Sequence, residues 1–343
     1  YAALSHCWSD SATVPQTTRE TIDEHLDAIP WKTLSKTFQH AVVITRRLGI
    51  RYVWIDSLYI IQKNKGDFEH ECSMMHFIYA RSFITICASD SEDGSGGVFQ
   101  PRHDTTPYEY AFDKIGCAKK WSQALSGPLS TRGWAFQERH LSPRVIHYTT
   151  HQILWECRTC IAAEDKPGFQ HRLFTRKPNI NSAWQWRIAD GTLENVAFSP
   201  RGPSNYTIDI KSWYHRWLQA VQNYSGKTLS YKTDKLPAIS GLAGFFQAQI
   251  PDEHYLAGIW RGDLIRGLCW SPVNAVDAPW PPAIVDSIPS WSWASFNGPV
   301  AFPNLETILS DPKTYVCVVD EAETSQHGIY PFGRVTRGSI IIR

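Results

Sequence analysis

The chain has 343 residues, of which 43% are hydrophobic and 20% charged, and a formal net charge of +1. That balance fits an ordinary globular protein and gives no electrostatic case for nucleic acid or an anionic membrane surface. No apolar run approaches membrane-spanning length, so no membrane span is expected, and the eight scattered cysteines fit the reduced thiols of a cytoplasmic protein.

Residues 1–8, Tyr-Ala-Ala-Leu-Ser-His-Cys-Trp, read as a short buried strand running into a polar loop at 9–16. From Thr33 to Leu48, apolar residues Leu34, Phe38, Ala41, Val42 and Leu48 recur at helical spacing; Thr33 or Ser35 caps the start and Gly49 supplies the stop. Tyr52-Val53-Trp54-Ile55 is an apolar run without a polar face, as suits a strand covered on both sides, and it ends on Asp56 and Ser57. A second helix is predicted over Asp67–Ala80, with Phe68, Cys72, Met75 and Tyr79 on one stripe, and a third strand over Phe83–Ala88.

The resulting βαβαβ order predicts an α/β fold with a parallel sheet. In such a sheet Ser5, His6, Cys7 and Trp8 share the rim at the carboxyl ends of the strands with Asp56, Ser57, Ser89 and Asp90, where ligands of open α/β sheets bind. Arg132-Gly133-Trp134 and Gln137-Glu138 add a guanidinium, an indole, an amide and a carboxylate within seven residues. We therefore take Asp56, Glu138, Arg132 and His6 as candidate catalytic residues, and Ser5, Trp8, Ser57, Tyr59, Trp134 and Gln137 as candidate substrate contacts.

Other motifs carry less. His6-Cys7 places its two side chains on opposite faces of a strand, which argues against a thiol–imidazole pair. Cys157 and Cys160 have zinc-site spacing without a second ligand pair, and the eight cysteines are scattered, so free thiols and no bound metal are expected. Gly94-Ser95-Gly96-Gly97 lacks the lysine of a phosphate-binding loop.

Leu-Ser-His-Cys-Trp at 4–8, the run Leu-Gly-Ile-Arg-Tyr-Val-Trp-Ile-Asp-Ser-Leu at 48–58, Asp67 with Glu71 and Tyr79, and Pro128 to Glu138 together resemble the heterokaryon incompatibility (HET) domain of filamentous fungi. The resemblance covers about residues 1–139. Family members usually carry Gly, Cys and Asp where this chain has Ser9, Tyr59 and Lys63. The resemblance implies a role in fungal self/non-self recognition and programmed cell death, exercised through protein partners. HET domains have been likened to TIR domains, which share a parallel βαβ sheet of TIR-like or flavodoxin-like kind and of which some cleave NAD with a helix glutamate. Glu71 falls at about that place, so it joins the candidate catalytic residues, with NAD as a possible substrate and no cofactor required. The alternative is a stand-alone enzyme acting on a small molecule by isomerase, cyclase or hydrolase chemistry at the rim, as in secondary metabolism.

Beyond residue 139 a mixed α+β extension is expected over 140–343, packed on the HET region. Leu141–Cys157 reads as two strands joined at 149–152, and 161–205 as a long connection. Trp213–Tyr224 and Leu236–Phe246 are predicted helices, with Pro237 in the first turn of the second. Tyr255–Trp260, Leu268–Trp270 and Ser290–Ala294 read as strands around aromatic turns.

Overall fold

A computed structural model describes residues 1–8, 14–102, 125–157, 160–164, 166–172, 187–189, 192–194, 210–273, 288–303, 318–327 and 330–343. Ser9 lies outside the described residues. The chain divides into two compact units, Tyr1–Tyr206 and Thr207–Arg343.

The first unit opens with strand β1 (Ala2–Ser5) and a short helix α1 (Ile22–Asp27). Helix α2 (Lys36–Arg47) follows, and Ser35 is its cap: the hydroxyl accepts the Phe38 N–H at 3.3 Å. Thr33 belongs instead to a 3₁₀ turn, Trp31–Thr33. Arg46 and Arg47 sit in the last turn of α2, where cations complement the helix dipole, and Gly49 stops the helix at a φ of 70°. The next strand, β2, is shorter than expected, Val53–Trp54, because Tyr52 projects into solvent at 65% exposure; only the second half of the apolar run is buried. Asp56 then opens a one-turn helix, α3 (Asp56–Tyr59), rather than a loop. Helix α4 (Lys65–Arg81) starts two residues before the expected Asp67, since Asn64 caps it through the Asp67 N–H at 3.4 Å. Strand β3 (Ile84–Ala88) is buried at every position, as a central parallel strand should be. Helices α5 (Pro128–Thr131) and α6 (Gly133–Leu141) meet at Arg132.

The family-like block ends near 139, yet the sheet continues. Strands β4 (Arg144–Tyr148) and β5 (Ile153–Cys157) form the expected pair, and β6 (Cys160–Ala163) and β7 (Lys166–Arg172) extend it into the segment read as a connection. A separate hairpin, β8 (Arg187–Ala189) with β9 (Thr192–Glu194), lies in that segment too. Among the described residues seven strands make one sheet in the order β2-β1-β3-β4-β5-β6-β7. The pairings from β2 through β4 are parallel, as the βαβαβ order predicts for its three strands, and those from β4 to β7 are antiparallel.

Alternation along the strands divides the unit into two layers. Ala2 and Leu4 of β1 and Ile84, Ile86 and Ala88 of β3 pack on Phe38, Ala41 and Ile44 of α2. The alternate residues face the other side, where Cys87 and Val145 pack on Leu129 and Ala135 of α5 and α6, and α4 packs on α6. The chain passes from β1 to β2 on one side and then to β3 on the other, so the winding reverses at the β1/β3 boundary. Crevices in such sheets form outside the strand carboxyl ends at that reversal.

In the second unit, α7 (Ile210–Ser225) and α8 (Pro237–Gln247) are the two expected helices, and Pro237 does occupy the first turn. Tyr255–Trp260 is not one strand but a tight hairpin, β10 (Tyr255–Leu256) and β11 (Ile259–Trp260). Ala257 and Gly258 turn it with φ of 46° and 101°, the left-handed pair a two-residue hairpin needs. A Cβ on Gly258 would meet Trp293 Nε1 at 2.5 Å, and the Gly258 carbonyl accepts both the Trp217 and Trp293 indole N–H groups at 2.8 Å. Two further expectations are corrected. Leu268 ends helix α9 (Leu264–Leu268) and Cys269 caps it, so Leu268–Trp270 is not a strand, and Trp293–Ser295 is a 3₁₀ turn capped by Ser292. Two small sheets complete the unit, β12 (Ser271–Pro272) with β13 (Val300–Ala301) and β14 (Val319–Gln326) with β15 (Val335–Ile342). Among the described residues no helix is long and apolar enough to cross a membrane.

Candidate functional site

The carboxyl ends of β1, β2 and β3 lie along one edge of the sheet, and polar side chains from four segments of the chain meet there. Ser5, the last residue of β1, points away from α2 and donates its hydroxyl to Glu138 Oε2 at 2.5 Å. Glu138 reaches this place because α6 lies across that face of the sheet, in contact with β1. Tyr79 enters from α4 and donates to the Leu4 carbonyl at 3.1 Å. Its hydroxyl also bears on the Glu138 carboxyl, so one phenolic proton has two acceptors in reach.

Beside this group lies a second one. The Trp8 indole donates to Asp56 Oδ2 at 2.9 Å, and Asp56 Oδ1 accepts the Ser57 N–H at 2.8 Å, closing the first turn of α3. His6 is 2% exposed, with Nδ1 3.8 Å from Asp56 Oδ1, too far for a hydrogen bond. Its ring lies edge-on to Phe38 at 5.0 Å and roughly parallel to Trp8 at 6.4 Å. Neither ring nitrogen has a hydrogen-bond partner among the described residues. Arg132, at the α5/α6 junction, donates through Nη1 to the His6 carbonyl. Arg132 is thus bonded to backbone, and its charge acts on both His6 and Glu138.

Burial sets the protonation states. It drives the Glu138 carboxyl up to about 7; Arg132 and the hydroxyls of Ser5 and Tyr79 pull down, while Asp56 pushes further up. Burial likewise drives His6 down to about 4, against the opposing pull of Asp56 and with Arg132 assisting. Near neutral pH the site therefore holds a carboxyl that readily gains and loses a proton and an imidazole that stays neutral. Burial also raises the Tyr79 phenol and the thiols of Cys7 and Cys87, which keeps those thiols protonated and poorly nucleophilic.

Of the other residues singled out by sequence, Gln137 is buried and Trp134 half-buried on α6. Ser57 is fully buried and donates to the Pro15 carbonyl at 3.0 Å, which commits its hydroxyl to structure. Tyr59 is 59% exposed and leans on Trp54. Glu71 lies half-buried on α4; burial raises its pKa, and its charged neighbours are His70 at 3.9 Å and Asp67 rather than Asp56 or Glu138. Tyr79 is the site residue that sequence reasoning misses, since a tyrosine at helical spacing among apolar residues looks like packing. Among the described residues no group of three or more His, Cys, Asp or Glu is placed to hold a metal ion.

Ser5, His6, Trp8, Asp56, Tyr79, Arg132 and Glu138 all fall within one stretch of chain that a known family describes. Residues 1–138 match the family model heterokaryon incompatibility protein (HET). The HET match thus ends on Glu138, and β4 to β7 lie beyond it. No curated protein and no solved structure matches the chain.

Proposed function

We propose that the chain acts in heterokaryon incompatibility through its HET region, and that this region transfers a proton to or from a small molecule held at the carboxyl ends of β1 and β3. Glu138 is the acid or base, with Ser5 and Tyr79 orienting its carboxyl. His6 is a neutral hydrogen-bonding group toward the ligand, and Arg132 stabilises negative charge. The single observation that carries the reading is Glu138, a carboxyl 3% exposed whose pKa of about 7 matches the optimum for proton transfer at cellular pH. The strand order β2-β1-β3-β4 supports a flavodoxin-like or TIR-like winding of the parallel half, with the site at its point of reversal. In this reading the protein works in the fungal cytoplasm and its product triggers cell death. NAD is the first substrate to try.

The test is regulated expression of the full chain in a filamentous fungus, with growth as readout and immunoblotting to equalise protein levels. Wild type should arrest growth, and Glu138→Gln should abolish the arrest. Arrest of equal strength by Glu138→Gln sinks the acid–base reading. In parallel, the purified proteins are incubated with NAD and nicotinamide is measured. Turnover lost in Glu71→Gln but kept in Glu138→Gln would move the chemistry to α4.

A further inference from the structure

Across the end of the HET match, from Ser89 within it to Arg139, His147 and Glu156 beyond it, the same face of the sheet carries a second buried polar chain. Arg139 of α6 donates Nε to Glu156 Oε2 of β5 at 2.9 Å. His147 of β4 lies 3.1 Å from the same oxygen through Nε2, and its Nδ1 lies 3.3 Å from the Ser89 hydroxyl, just past the end of β3. Ser89, His147 and Glu156 are 5%, 3% and 2% exposed.

The roles within the chain follow from hydrogen-bond inventory. Burial opposes ionisation of Glu156, but Arg139 and His147 outweigh it and hold the carboxyl down to about 2. An ionised carboxylate only accepts, so His147 must carry its proton on Nε2. Nδ1 is then a lone pair facing a hydroxyl, and Ser89 donates to it. A carboxylate thus orients an imidazole that takes the proton of a serine, with the two ring nitrogens in exchanged roles relative to the serine-protease arrangement. Ser89 is also held by its backbone, its N–H bonded to the Tyr148 carbonyl at 3.1 Å and its carbonyl to the Leu129 N–H at 3.2 Å. A purely structural staple would need only Arg139 and Glu156. The imidazole adds a hydrogen bond to Glu156, but the Ser89 hydroxyl beyond it serves only Nδ1 of the imidazole, a buried polar group that such a staple does not call for.

We propose that Ser89, His147 and Glu156 form a nucleophilic relay that transfers short acyl groups. The Ser89 hydroxyl adds to the carbonyl carbon of the acyl donor while its proton passes to His147 Nδ1. The imidazolium returns that proton to the departing alcohol or thiol, leaving acyl-serine. Water, deprotonated by Nδ1, then adds to the acyl carbon, and Ser89 departs with the proton. Since so little of Ser89 is open to solvent, the substrate is a small ester or thioester with a slender acyl group. Glu156 is a positioning residue here, acting through His147.

The full chain in native buffer is treated with a fluorophosphonate probe and mapped by mass spectrometry, and separately assayed with p-nitrophenyl acetate. Wild type should take one probe at Ser89 and show a burst of nitrophenol, and Ser89→Ala, which removes only a hydroxyl, should lose both. Glu156→Gln should slow acylation about a hundredfold or more, and Glu156→Asp should recover part of it. Ser89→Cys gives a second readout independent of Glu156: the introduced thiol should alkylate with iodoacetamide at least about tenfold faster than the buried Cys7 and Cys87. Absence of native labelling in wild type, equal labelling of Ser89→Ala, or an introduced thiol no faster than the two buried ones would each overturn the proposal.

Discussion

Replacing Glu138 by Gln keeps the shape of the side chain and removes its titration, and the consequence for stability can be worked out with its sign. Glu138 carries a folded pKa of about 7 against an ordinary 4.5. Between those values the folded protein keeps a proton that the unfolded chain has released, so stability from this group is full below about pH 4.5 and is lost as pH rises through 7. At about 1.4 kcal/mol per pH unit, the loss is ~3 kcal/mol. His6 works the other way. Its folded pKa of about 4 lies below the ordinary 6.5, so its contribution is full above pH 6.5 and is lost as pH falls toward 4. In wild type the two slopes offset one another between about pH 4.5 and 6.5. In Glu138→Gln only the histidine slope remains. Urea unfolding followed by tryptophan fluorescence should show the variant gaining ~3 kcal/mol on wild type between pH 4 and pH 8. All other groups titrate in both proteins, so the difference isolates residue 138. A difference that stays flat with pH would falsify the claim that burial raises the pKa of this carboxyl.

Further outcomes follow from the same geometry. Trp8→Phe deletes the N–H that Asp56 accepts at 2.9 Å and should cost about 1–3 kcal/mol in the same urea assay. Lys63 is exposed and sits at a φ of 62°, which a lysine adopts at a cost; Lys63→Asn should raise the melting midpoint, by about 0.5–1 kcal/mol in stability. Ellman's reagent should react with the exposed Cys269 in the native protein, whereas Cys7 and Cys87 should react only on unfolding.

The sequence carried the first three strands, the helices between them and the convergence of Ser5, His6, Trp8, Asp56, Arg132 and Glu138, because short buried runs ending in polar residues have few places to go. It did not carry the antiparallel half of the sheet. Residues 160–172 put Pro and Gly among charged residues, and that mixture reads as loop; pairing with a neighbouring strand overrides it. Tyr79 is hidden by its own helical stripe. The His147–Glu156 pair does leave a signal: both residues occupy the buried register of alternating strands, where Val145 and Leu154 are their apolar neighbours. A charged or titratable residue on the core face of a strand demands a partner, and that demand is the clue. Trp293 shows the reverse failure. An aromatic run suggests a strand, but the indole is bonded to the Gly258 carbonyl and the backbone turns.

The protonation of Glu138 can be read directly. Infrared spectra of the native protein, recorded in small pH steps and referenced to Glu138→Gln, resolve the carbonyl stretch of a buried protonated carboxyl. The account predicts a band present in wild type, absent in the variant, and lost with a midpoint near pH 7. A wild-type carboxyl already ionised at about pH 5.5, more than a unit below that midpoint, would contradict it and leave the rim as a structural clamp between β1, α4 and α6.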